Sequence, residues 1–209
     1  MEQDAASRAR AARRRRRVIT DGFDGATERA RHALLDEDPE VRAAALGALA
    51  RTGALSVPDV LSALEDGPAT VRQRAADLAR NVRGPGSRSS LPAALETALG
   101  DPDPLVVVNA AWFLGERRVG HAVPALADVA QQHDDVRCRE AAVAALGAIG
   151  DVGGLPAVLA ALDDKPTVRR RATVALAGFD DPRVEPALAR SLDDKDWQVR
   201  QAAEELHDD

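Results

Sequence analysis

The feature that most constrains this chain is a repeated frame of about thirty residues. It is set by Val41-Arg42 and returns at Val71-Arg72, Val106, Cys138-Arg139, Val168-Arg169 and Val199-Arg200. The start points step by 30, 35, 32, 30 and 31 residues. Within each copy an apolar residue follows at plus four and, in most copies, at plus eight: Ala45 and Leu49, Ala75 and Ala79, Ala110 and Leu114, Ala142 and Leu146, Ala172 and Leu176, then Ala203. Positions i, i+4 and i+8 share one face of a helix, so each copy predicts a helix with a narrow apolar stripe. Helix starts are written just ahead. Asp38-Pro39 and Asp103-Pro104 set an acceptor before a first-turn proline, Asp135 and Asp196 stand in the same place, and Pro68 and Pro166 also match the first turn. Gly47, Gly115, Gly147 and Gly178 fall late in these helices or just after, where glycine suits an end or a close approach.

A second motif alternates with the first. Pro58, Pro92, Pro124, Pro156 and Pro186 step by 34, 32, 32 and 30 residues, each followed by Leu or Val at helical spacing. Each proline predicts the start of another short helix. Acidic residues follow most of them, as at Glu65-Asp66, Asp101, Asp163-Asp164 and Asp193-Asp194. The unit is therefore helix, acidic turn, helix, short loop. One such pair cannot bury its stripe alone, so neighbours must stack. Residues 84–87, Gly-Pro-Gly-Ser, insert a loop after the second copy.

This unit resembles a HEAT repeat, in the short form of the phycobilisome-lyase-like proteins. Residues 163–178, opening Asp163-Asp164-Lys165-Pro166-Thr167-Val168-Arg169, carry the pattern, and so do residues 135–150, ending Ala145-Leu146-Gly147-Ala148-Ile149-Gly150. The third copy departs from it, with Val107 where the others have Arg. The resemblance covers roughly residues 22–207. It implies an all-α, right-handed α-α superhelix of about six helix pairs, with the second helices lining a concave face. The expected organisation is a basic, mobile segment at 1–21 and a solenoid at 22–209.

Composition narrows the chemistry. Aromatic residues are only 2% of the 209, so Ala, Leu and Val must supply the packing. Cys138 is the lone cysteine, which excludes an intramolecular disulfide or a site of several thiolates. No long apolar run predicts a membrane span and no signal-like N-terminus is present, so a cytoplasmic location is expected. The net charge of −6 is uneven: residues 1–17 hold seven Arg against Glu2 and Asp4. Five of those, Arg13, Arg14, Arg15, Arg16 and Arg17, are consecutive. Their mutual repulsion predicts a mobile tail, able to bind anions such as a phosphate backbone or to fold back on the acidic body.

The candidate site residues are few. The column Arg42, Arg72, Arg139, Arg169 and Arg200 reads either as a structural ladder binding turn carbonyls and neighbouring Asp, or as a stripe that contacts a partner. Trp112 beside Phe113 predicts one ring inward and one outward, the outward one a binding anchor. Trp197 is placed to cap the array's end. His32, His121, His133 and His207 have no metal-ligand spacing, and the His-Glu pairs of HEAT-like iron hydroxylases are absent. Cys138 sits in the Val column, as a small buried hydrophobe. Asp180-Asp181 and Asp193-Asp194 resemble acid/base pairs but recur at repeat turns. No catalytic residue, cofactor or metal is expected. The leading expectation is a non-catalytic scaffold binding another protein along the concave face. The alternatives are a nucleic-acid-associated protein using its Arg-rich end, and a bilin-lyase-like or chaperone-like accessory subunit, which the resemblance permits.

The register makes one prediction. Leu146→Asp should destabilise the fold by several kcal/mol, because it would bury an unpaired carboxylate. Chemical denaturation measures it, and an unchanged midpoint would show that the helix register is wrong.

Overall fold

The computed structural model describes residues 2–207, which form thirteen helices and short 3-10 turns with no strand among them. In chain order the helices are α1 (Glu2–Asp24), α2 (Thr27–His32), α3 (Pro39–Arg51), α4 (Val57–Leu64), α5 (Ala69–Ala79), α6 (Ser90–Thr97) and α7 (Pro104–Glu116). They continue as α8 (Val123–Gln132), α9 (Val136–Ile149), α10 (Leu155–Ala161), α11 (Pro166–Leu176), α12 (Val184–Leu192) and α13 (Trp197–His207). From α2 onward they fall into six pairs, so the chain has the all-α superhelix architecture of helical-repeat proteins. Met1, Asp208 and Asp209, at the limits of the expected 1–21 and 22–209 segments, lie outside the described residues, as does the side chain of His207.

Helix starts follow the local chemistry. Asp38, Asp103 and Asp135 are N-caps, accepting from the backbone N–H two residues on, at 2.9, 2.9 and 2.8 Å. Asp196 makes the same bond to Gln198 N–H at 2.9 Å. Ser56 and Asp59 close a capping box at α4. Pro58, Pro92, Pro124, Pro156 and Pro186 all lie in the opening turns of their helices. Pro68 differs from expectation. It is the N-cap of α5, with extended backbone, and the helix begins at Ala69.

Two compact units divide within α6, between Ala94 and Leu95. In the first, α1 packs on α3 and α3 on α5, while α2 and α4 back them. In the second, α7, α9, α11 and α13 pack in sequence, backed by α8, α10 and α12. Leu46, Leu49 and Val60 are fully buried in the first unit, and Leu114, Leu126, Leu146, Leu155 and Leu176 in the second. Small residues bring the second helices of neighbouring pairs together. A Cβ on Gly115 would lie 2.7 Å from the Cα of Ala145, and one on Gly147 would lie 2.7 Å from the Cα of Ala175. The αL residue that follows α9 is Gly150, while the equivalent position after α7 is held by Arg118, at φ 49°.

Residues 2–24 form α1, where charge repulsion predicts a mobile tail. Helical geometry spreads the five arginines around the axis, and acidic residues of the next pair meet two of them. Arg14 pairs with Asp36 and Glu37, and Arg15 with Glu40. Ala11, Val18 and Asp21 are buried on the packed side. Asp21 accepts from Arg29 at 2.8 Å.

Gly147→Ala is expected to cost roughly 1–3 kcal/mol, since backbone blocks the added methyl. Urea denaturation against wild type tests this, and an unchanged midpoint would contradict the close approach of α9 and α11.

Candidate functional site

The arginine column forms a series of rungs. Each Arg lies in the first turn of a second helix, five or six residues after the turn it reaches back to. Arg42 donates Nη1 to the carbonyl of Asp36 at 2.7 Å, Arg72 to Asp66 at 2.9 Å, Arg139 to His133 at 2.8 Å, Arg169 to Asp164 at 2.9 Å and Arg200 to Asp194 at 2.7 Å. The fork then reaches the following turn. Arg42 grips Asp66 through Nε and Nη2 at 2.8 and 2.7 Å. Arg139 grips Asp164 at 2.6 and 2.8 Å, and Arg169 grips Asp194 at 2.8 and 2.8 Å. Only Arg offers three such donors in a fixed plane.

Sequence reasoning missed one rung. Arg14 of α1 donates Nε and Nη2 to Asp36 at 2.8 and 3.0 Å, the same grip one pair earlier. It lacks the Val-Arg signature, so only the fold reveals it. The acidic ends are conditioned by their partners. The hydrogen bond from Arg139 holds the Asp164 carboxyl below the usual carboxylate range, and that from Arg169 does the same for Asp194. Asp181 is held down to about 2, chiefly by the Arg183 side chain. Carboxyls held low are poorly matched to proton transfer near neutrality.

The aromatic pair divides as the helix geometry requires. Phe113 is buried, while Trp112 is 49% exposed. Trp112, Ala144 and Val174 stand at the same register in α7, α9 and α11, six residues past Val106, Cys138 and Val168. Leu105, 43% exposed, lies on the same face of α7, and Val174 is 42% exposed. Arg171 and Glu140 pair at 3.2 Å between α11 and α9. The second unit thus carries an apolar strip across three packed helices, with charge beside it. Trp197 is 62% exposed in the first turn of α13.

The remaining candidates are placed as follows. Arg13, Arg16 and Arg17 are exposed on α1, whereas Arg14 and Arg15 are engaged with α3 and its leading turn. Cys138 is fully buried, donates Sγ–H to the Pro104 carbonyl at 3.4 Å, and burial pushes its thiol up to about 11. His133 Nδ1 accepts from the Asp135 N–H at 3.0 Å, the turn bond that Asp36 and Asp194 make elsewhere. His121 meets Glu96 at 3.4 Å. Among the described residues, no group of three or more His, Cys, Asp or Glu is arranged to hold a metal, and no helix is long and apolar enough to cross a membrane.

The rungs carry a pH dependence. Asp164 and Asp194 have folded pKa values below their unfolded ones. Their contribution is therefore present above about pH 4 and is lost as pH falls through the lower folded values. Asp164→Ala should cost about 1–3 kcal/mol at pH 7, leaving Arg139 half-satisfied, and the gap to wild type should narrow below about pH 4. Denaturation curves at both pH values decide, and a gap that widens in acid would refute the rung.

Comparisons with known proteins fit this geometry. The HEAT repeats family profile matches residues 57–146, 91–177 and 155–205. No curated protein sequence matches the chain. Among solved structures, a chain of the complex of CpcE and CpcF of phycocyanin lyase from Nostoc sp. PCC7120 is similar at 26% identity and TM-score 0.62, covering 85% of this chain and 74% of that one. A designed armadillo repeat protein in complex with the peptide (KR)4 is similar at 16% identity and TM-score 0.61, covering 85% and 96%, a likeness of fold alone. With the profile running from residue 57 to 205 and the helix pairs in phase with it, the chain belongs to the HEAT-repeat family.

Proposed function

We propose that this chain is a non-catalytic scaffold that binds another protein on the face formed by α7, α9 and α11, with Trp112 as the anchor. One observation carries the reading. Trp112, Leu105 and Val174 hold large apolar side chains half in water, on helices locked together by glycine–alanine contacts. A rigid surface with an exposed aromatic and flanking charge suits a protein partner. Of the candidate contact set, Trp112 is the one that presents itself. Arg42, Arg72, Arg139, Arg169 and Arg200 act on this reading through the turns they hold. The buried thiol of Cys138 and the arginine-held carboxyls support the non-catalytic part, and the lone cysteine, buried as a thiol, fits a cytoplasmic setting.

A second reading rests on the phycocyanin-lyase likeness, in which the chain is an accessory subunit for attaching a bilin. Adding a bilin to the purified protein separates the two. A shift in its absorbance would favour the accessory role, and none is expected from the scaffold.

The scaffold reading is tested by affinity capture from the native host, with nuclease present, using wild type and Trp112→Ala. A discrete partner should be retained by wild type. Its Kd should rise by about tenfold or more in the variant, with unchanged helicity and melting. Equal binding by both forms would remove Trp112 and its face from the reading.

A further inference from the structure

The rungs provide a template for what a second helix expects on its outer side. In α3, α9 and α11 the Arg one residue past the Val or Cys marker grips an Asp of the next turn. Four residues further on, Leu46, Val143 and Thr173 are buried, and Thr173 Oγ lies 3.2 Å from Ser191 Oγ of the following pair. Those two positions therefore face whatever stacks next. In α13 they are Arg200 and Glu204. Arg200 makes its turn bond to the Asp194 carbonyl but, among the described residues, meets no carboxylate. Glu204 is exposed. On α12, Leu188 and Leu192 are only half-buried, while their equivalents on α10, Val158 and Leu162, are buried.

This outer face is amphipathic, but it is unsuited to an ordinary repeat. Stacking one would press Glu204 into the place where Val143 and Thr173 are enclosed, burying a carboxylate beside small or apolar groups. Its charges fit something else. Arg200 and Glu204 are four residues apart, on one side of the helix and about 6 Å apart along it. Arg ahead of Glu is the less favourable order for pairing within a helix, and no such pair forms here. A two-fold axis passing between them sets Arg200 against Glu204 of a second copy, and Glu204 against Arg200 of that copy. The surface is its own complement.

We propose that the outer face of α12 and α13 is an interface with a second copy of this chain. Two reciprocal Arg200–Glu204 pairs form across an antiparallel α13 contact, and Leu188 and Leu192 of both copies are covered beside it. The pairs give Arg200 the kind of carboxylate partner that Arg42, Arg139 and Arg169 find within the chain. They fix register and direction, while the leucines supply the apolar area.

Sedimentation equilibrium of the full chain, over a range of concentrations and at low and moderate salt, reads the association. Wild type should reach dimer mass, more readily at low salt. Arg200→Glu and Glu204→Arg should each weaken dimerisation by about tenfold or more, because each substitution sets like charges together twice. Glu204 is exposed, so Glu204→Arg should match wild type in helicity and melting. Arg200→Glu also gives up its turn bond to the Asp194 carbonyl, so a lower melting point is expected there, and retained helicity and recovery in the mixture show that it is folded. The decisive arm mixes the two single variants. One copy then carries a carboxylate at both positions and the other a guanidinium at both, so a mixed dimer should form where neither variant pairs with itself. The Arg200→Glu/Glu204→Arg double variant should dimerise alone. A wild type that stays monomeric at the highest attainable concentration overturns the proposal. So does a dimer that both single variants leave intact, or a failure of the mixture to associate.

Discussion

The interaction on which the fold depends is the arginine fork that joins two turns. One Nη of Arg139 or Arg169 fixes the turn before its own helix, and the other two donors hold the Asp of the next turn. The helices it organises are short. Those from α2 to α13 run from 6 to 14 residues, lengths at which isolated helices are marginal in water. Their stability must come from stacking, and stacking needs register. Half-buried ion pairs add little net stability, because desolvation offsets most of the attraction. Their value here is geometric. A planar, bidentate grip tolerates little sliding, so each rung tells a pair where the next one sits.

The other half of the packing is the near absence of bulk. Glycine and alanine bring α7, α9 and α11 to backbone contact, a separation at which most of the attraction is dispersion between close atoms. Large side chains would force these helices apart. In a chain with 2% aromatics, each ring is therefore informative. Phe113 fills core, as expected. Trp112 does not, and single exposed apolar residues are common enough to need no explanation. What lifts Trp112 above that background is company. Leu105 and Val174 share its face, and Ala144 keeps the strip level between them, on a support too tightly packed to deform.

Much of this was legible in the sequence because the determinants are local. N-cap aspartates, first-turn prolines and the plus-four stripe each act within a few residues, and all recur. What could not be read depended on distant partners. The five arginines repel one another when considered alone, which predicted a mobile segment. Asp36, Glu37 and Glu40 lie more than twenty residues away, and they accept Arg14 and Arg15 once α1 lies on α3. The Arg column was ambiguous for the same reason. A guanidinium aimed at solvent and one aimed at the next turn look alike until the spacing of the turns is known. Pro68 shows the limit on a smaller scale: proline suits both the N-cap and the first turn, and nothing in the sequence chooses between them.

A rung is a connector with two sides, which gives the two units different ends. In the first, α1 supplies Arg14 to Asp36, so the leading turn is already taken. In the second, Arg200 holds its own turn and, among the described residues, meets no carboxylate. The charges on α13 make the face selective. An apolar end would adhere to any exposed core, whereas Arg200 and Glu204 penalise every neighbour that lacks their opposites in the right order. The device that sets register between pairs inside the chain can thus set register between chains, with Glu204 deciding which kind of surface is admitted.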